Sequence, residues 1–202
     1  MNTENLNDFK IFDGLSNTEI SLFVKQIKSK SYHKGEMIMK EGKSGDSLLF
    51  LLSGEINITK SLTLSTNKDE TKDNREKEFI KCKAKDNTIL GEVSLFSSDH
   101  KRTASAKALT DCNIGLIDKK DFFDICNTNT EVGYKVLKNL IEDNMNKLIK
   151  EKLENTSEPC RIFARNSGTE SVLRILVEAE NKNLVENISI QMKNIAENMI
   201  KK

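Results

Sequence analysis

Histidine is scarce in this 202-residue sequence, where His33 and His100 are the only two. That scarcity argues against a metal enzyme, because imidazole-based metal sites gather several ligands in one place. Cysteine is also thin. Cys82, Cys112, Cys126 and Cys160 stand far apart with no C-x-x-C pair, so no N-terminal iron–sulfur cluster fits, and no Cys-x-His pairing suggests haem. Such spacing suits a reduced, cytoplasmic protein. Net charge is missing too: 32 Lys and Arg offset 31 Asp and Glu to a formal +1. No global field therefore advertises nucleic acid or an anionic membrane. Charged residues, 31% of the chain, interrupt every apolar run well short of the ~20 residues that span a bilayer. Met1 to Lys10 is polar and lacks the form of a secretory leader. No nucleophile–base triad or paired-acid arrangement stands out, and a non-enzymatic protein is expected.

What is present changes texture along the chain. Ser16-Asn17-Thr18-Glu19 has the form of a capping box, and Ile20, Phe23, Val24 and Ile27 follow at helical spacing. From Ser31 to Ile58 short apolar runs alternate with Gly42, Gly45 and Gly54, the pattern of brief strands and tight turns. Lys60 to Lys77 is almost wholly polar and reads as a long solvated loop. Strands resume at Phe79-Ile80, Ala104 to Leu109 and Asn113 to Ile117, and a helical pattern begins at Asp118.

Between Glu131 and Leu153 apolar residues recur three or four apart, from Val132 through Ile149, which predicts one long amphipathic helix. Its stripe suits packing on its own β domain or against a second copy, so a homodimer through this helix is one expectation. Asn155 to Gly168 holds the single proline, Pro159, and is the expected hinge. The remainder, 156–202, reads as a helical extension. The domain plan is thus 1–127 for a β module with an N-terminal helix, 128–155 for the long helix and 156–202 for the extension.

The chemically informative segment runs from Leu90 to Leu109. Gly91 allows a backbone to approach a ligand closely, and one helical turn from Val93 to Phe96 presents free N–H groups to an anion. Arg102 adds a planar guanidinium able to hold a phosphate through two charge-assisted hydrogen bonds. Glu92 repels a phosphate but accepts from a hydroxyl, so a sugar on the same ligand is its sensible partner.

The order Lys34-Gly35-Glu36, Glu41-Gly42, Gly45-Asp46-Ser47, Leu52-Ser53-Gly54-Glu55, Gly91-Glu92 and Arg102-Thr103-Ala104 resembles the cyclic-nucleotide-binding domains. That family includes catabolite activators and the regulatory domains of cyclic-nucleotide-dependent kinases and channels. The resemblance covers roughly Phe9 to Cys126. It implies a mainly β fold, a cupin-like β-roll with flanking helices, followed here by the long helix and the extension. It implies cAMP or cGMP as ligand, with Gly91, Val93, Ser94 and Arg102 at the phosphate, Glu92 at the ribose 2′-hydroxyl, and Thr103 and Ala104 beside them. A threonine after the arginine often accompanies cGMP in this family. Cofactors and metals are not implied.

The sequence departs from the activators in two places. Hydroxyl residues that reach adenine there fall near Lys147 and Leu148 here. After a similar hinge the activators carry a winged helix-turn-helix. Thr169 to Ala179 followed by Ile188 to Met199 resembles its opening helix, strand and second helix, but a recognition helix is lacking before Lys202. The expected function is therefore ligand sensing by helix rearrangement. A transcription regulator with a truncated DNA-binding domain, or a dimerisation module without ligand, are the alternatives.

Overall fold

The run Leu48-Leu49-Phe50-Leu51 has no polar face, and the fold buries all four side chains. A computed structural model describes residues 5–61, 76–96, 100–154, 160–166 and 173–200. A strand apolar on both faces needs cover on both, and β3 (Ser47–Ser53) receives it from two directions. Together with β1 (Lys28–Tyr32), β2 (Met37–Met39), β4 (Glu55–Ser61), β5 (Glu76–Lys83), β6 (Ile89–Leu90), β7 (Ser105–Ala108) and β8 (Cys112–Asp118) it builds two antiparallel sheets. Their strand orders are β1-β8-β3-β6 and β2-β7-β4-β5. Leu49, Leu51, Leu90 and Ile114 of one sheet cluster with Ile56, Ala106 and Ala108 of the other, which makes the interior of the β-roll.

Alternation along β3 turns Phe50 to the opposite face. There Phe9 meets it edge-on at 5.2 Å and Phe12 stacks on it at 5.8 Å between centroids. The aromatic chain continues from Phe12 to Phe23 of α1 (Asn17–Val24) and on to Phe122 of α3 (Lys119–Thr128). Flanking helices thus seal the outside of the sheet. The capping box forms as the sequence predicts: the Glu19 N–H donates to Ser16 Oγ, and the Ser16 N–H donates to the Glu19 carboxylate at 2.6 Å. Ser16→Ala should lower stability by about 1 kcal/mol in a urea titration, with the slope of the transition unchanged.

The chain divides into two compact units, Met1–Gly133 and Tyr134–Lys202. The predicted long helix is present as α4 (Thr130–Glu154). Val132, Val136, Leu140 and Asn144 are its buried stripe, while Tyr134 is 55% exposed. The second unit also holds β9 (Cys160–Asn166), β10 (Leu173–Ala179) and α5 (Lys182–Ile200). Strands β9 and β10 pair antiparallel from Leu173↔Asn166 to Ala179↔Cys160.

This hairpin corrects the reading of 156–202 as helical in its first part, while α5 contains the helix expected at Ile188 to Met199. Thr169 to Ala179 resembled an opening helix, yet its described part is a strand. Ile175 and Val177 are half-buried while Leu176 and Glu178 are exposed, a period of two that β-branched residues favour. The apolar run is too short for its period to be separated from a helix in the sequence. The expected hinge, Asn155 to Gly168, overlaps β9. Its remaining residues lie outside the described ones, as do 62–75 of the polar loop, whose two ends are taken up by β4 and β5. No helix among the described residues is long and apolar enough to cross a membrane.

Candidate functional site

Two chain segments converge on Arg102. The loop before β3 is stitched to the arginine's own stretch by main-chain bonds: Gly42 N–H to Arg102 O, Arg102 N–H to Lys43 O and Gly45 N–H to His100 O, each at 2.9 Å. The turn between β6 and the short helix α2 (Glu92–Phe96) supplies the other wall. Gly91 sits there at φ +83°, a conformation costly for any residue with a Cβ. A methyl group on Gly91 would stand 1.9 Å from Arg102 Nη1, and one on Gly45 would stand 1.9 Å from Nε. Both glycines are required because the guanidinium lies between them.

Arg102 is 6% exposed. Its Nη1 donates to the Ser47 carbonyl at 2.9 Å, to Ser94 Oγ at 3.0 Å and, at 3.4 Å, to the Gly91 carbonyl, while Nη2 donates to Ser47 Oγ at 3.0 Å. Burial lowers its pKa from the ordinary value, and the Glu92 and Asp46 carboxylates oppose that shift. A guanidinium keeps its charge under these conditions. Among the described residues these bonds occupy the Nη1 hydrogens and one on Nη2, leaving a second Nη2 hydrogen and Nε–H as donors in a low-dielectric slot.

Of the residues singled out in the sequence, Gly91, Ser94 and Arg102 meet directly. Glu92 is half-buried at the start of α2 and close enough to Arg102 to act on its charge. Val93 is 41% exposed. Thr103 is exposed and Ala104 half-buried, on the chain between Arg102 and β7. The side chains of Lys147 and Leu148 lie outside the described residues. Sequence reasoning missed the structural partners Gly45, Asp46 and Ser47: it read Gly45 as turn punctuation and gave Asp46 and Ser47 no role, although Gly45-Asp46-Ser47 was part of the matching pattern.

Other reactive groups stand apart from this slot. Burial pushes the Cys126 thiol up to about 11, so it stays protonated and a poor nucleophile near neutral pH. Among the described residues no three His, Cys, Asp or Glu side chains are grouped to hold a metal ion.

Comparison with known proteins adds two matches on different parts of the chain. Residues 133–195 match the model of the phosphoglucomutase/phosphomannomutase C-terminal domain. A phosphoglucosamine mutase of Prochlorococcus marinus is 33% identical over 112 residues, covering 52% of this chain and 25% of the relative. A cAMP-dependent protein kinase regulatory subunit of Debaryomyces hansenii is 27% identical over 117 residues, covering 58% of this chain and 22% of the relative. The chain thus spans about a quarter of each of these curated relatives. In fold it is similar to a cyclic nucleotide-binding domain from Methylobacillus flagellatus, with a TM-score of 0.61 at 22% identity over 78% of this chain and 83% of that one. The model of the cyclic nucleotide-binding domain matches residues 29–129, which hold both sheets, the Gly91 turn and the Arg102 slot, and the chain belongs to that family.

Proposed function

We propose that the chain is a sensor that binds cAMP or cGMP in the Arg102 slot and performs no chemistry on it. The observation that carries this reading is the buried guanidinium, held between Gly45 and Gly91 and bonded to Ser47 and Ser94 through its two Nη atoms. In this reading the cyclic phosphate takes the remaining Nη2 and Nε hydrogens and the main chain of Gly91, Val93 and Ser94. Glu92 accepts the ribose 2′-hydroxyl, and Thr103 and Ala104 border the ligand. Binding re-packs α3 and the start of α4. A nearly complete switch between two states needs about 5.5 kcal/mol of differential affinity, within the range of several charge-assisted bonds. A homodimer through α4, a cytoplasmic location and the absence of enzymatic turnover belong to the same proposal.

A second reading concerns the second unit, where the match to a phosphoglucomutase C-terminal domain favours a sugar-phosphate module over an incomplete winged helix. The order β9–β10–α5 supports it, since strand β10 stands where the winged helix needs its opening helix. DNA binding then has no element to carry it among the described residues.

Calorimetric titration with cAMP, cGMP and their 2′-deoxy forms tests the first reading, and glucosamine 6-phosphate in the same series tests the second. Micromolar or tighter binding of one cyclic nucleotide is expected. Glu92→Ala should weaken it about tenfold or more yet leave the 2′-deoxy ligand unaffected, because both changes delete the same hydrogen bond. No heat and no thermal shift with either nucleotide would leave the dimerisation-module reading in its place.

A further inference from the structure

We propose that the Ser94 side chain, through its hydroxyl, is the positioning residue that aims Arg102 at a cyclic phosphate, an inference that rests on the cyclic-nucleotide reading above. Ser94 is 1% exposed, the least accessible polar side chain of the slot. Its oxygen accepts from Arg102 Nη1 at 3.0 Å and lies 2.9 Å from the Gly45 carbonyl and 2.8 Å from the Gly91 carbonyl. A hydroxyl has one hydrogen and two lone pairs. Ser94 therefore donates to one carbonyl at a time and uses a lone pair for the guanidinium. Those two carbonyls belong to the two walls of the slot, one in the loop before β3 and one in the turn before α2. The hydroxyl ties both walls and the arginine together at one point.

The walls themselves do not set the rotation of the fork. Gly45 and Gly91 meet the guanidinium with bare Cα atoms and carry no side-chain acceptor of their own. Ser47 holds one side of the guanidinium through its carbonyl and Oγ. Without the Ser94 hydroxyl, Nη1 keeps only the Ser47 carbonyl and the long contact to Gly91. The fork then hangs from Ser47 alone, through that carbonyl on Nη1 and Oγ on Nη2, and losing its anchor on the α2 side lets it shift toward Ser47, which moves the Nε and Nη2 hydrogens off the line to a phosphate. A one-ångström misplacement of a bidentate partner weakens binding without unfolding anything. Alanine at position 94 fills nearly the same space and suits a helical residue.

Two readouts separate this role from general support. In ligand-free protein, nitrogen NMR of the Arg102 guanidinium should give distinct Nη1 and Nη2 signals that merge in Ser94→Ala and separate again in Ser94→Thr. In titrations, the two phosphorothioate diastereomers of the preferred nucleotide place sulfur at one or the other exocyclic position, and wild type should prefer one. Ser94→Ala should lower affinity for the parent nucleotide about tenfold and bring the diastereomer ratio close to one, with Ser94→Thr restoring both. Should the alanine variant fail to fold, Ser94→Gly gives the same readings. Distinct guanidinium signals and an unchanged ratio in the variant would overturn the proposal. If wild type binds neither cyclic nucleotide, the ligand reading falls and the aiming role with it, whereas normal wild-type binding that is indifferent to Ser94 overturns this inference alone.

Discussion

Replacing Arg102 with alanine should weaken cyclic-nucleotide binding by at least about a hundredfold, since it removes two charge-assisted hydrogen bonds worth about 1.5–3 kcal/mol each. The buried setting raises the effect above that of an exposed arginine, because bonds to a desolvated charge are less screened. Lysine should rescue little, as an ammonium on a flexible stem cannot reproduce a planar fork held by Ser47 and Ser94. Fold stability should move much less than affinity. Deleting the side chain removes a burial cost along with its bonds, and Ser94 keeps carbonyl partners at Gly45 and Gly91. A change within about 2 kcal/mol is expected. Titration calorimetry beside a thermal melt gives the answer, and a variant that binds as tightly as wild type would remove Arg102 from the site.

The largest purely structural effect should come from Gly54→Ala. Gly54 sits at φ +91°, and a Cβ there would meet the Asp111 carbonyl at 2.5 Å, Cys112 Sγ at 2.7 Å and Cys112 Cα at 3.0 Å. The backbone has no room to yield. Ala84 N–H donates to the Gly54 carbonyl at 3.0 Å, Leu109 N–H donates to the Glu55 carbonyl at 2.8 Å, and Glu55 N–H donates to Thr110 Oγ1 at 2.9 Å. Adding about 1–2 kcal/mol for the left-handed backbone to about 1–3 kcal/mol for overpacking gives about 2–5 kcal/mol. For a protein of this size that amounts to a fall in Tm of roughly 10 °C. Gly35 provides the control. It has the same φ of +91° but nothing within 4 Å of a new Cβ, so Gly35→Ala should show only the torsional part. Equal melting temperatures for the two variants would refute the steric argument.

Particular residues explain how much of this was legible in the sequence. The β-roll was readable because its strands are short, apolar and punctuated by glycines, and α1 because Ser16 and Glu19 cap it reciprocally. α4 was readable because a regular stripe over six turns has no strand equivalent. β10 was not, since Val172 to Val177 is too brief for a period to declare itself, and pairing with β9 decided the outcome. At the site, Gly91, Ser94 and Arg102 carried a recognisable chemistry. The Ser47 and Gly91 carbonyls that orient the arginine did not, because every residue has a carbonyl and only the fold brings these two to the guanidinium. Gly45 looked like a turn residue for a similar reason: what it accommodates lies far away in sequence.

Strand β1 lies at the edge of its sheet and pairs with β8, and the Lys28–Asp118 ion pair that accompanies this pairing joins residues 90 positions apart. During synthesis at about 5–20 residues per second, β1 therefore waits roughly 5–18 s for its partner to be made. Throughout that interval an unpaired strand is a template for other chains. The composition Lys-Ser-Lys-Ser-Tyr, exposed at its first four positions in the finished fold, protects such an edge: two like charges discourage a second nascent strand from docking. The apolar burden is carried instead by β3, which begins to find cover sooner, from the Phe9 and Phe12 segment already made and from β6.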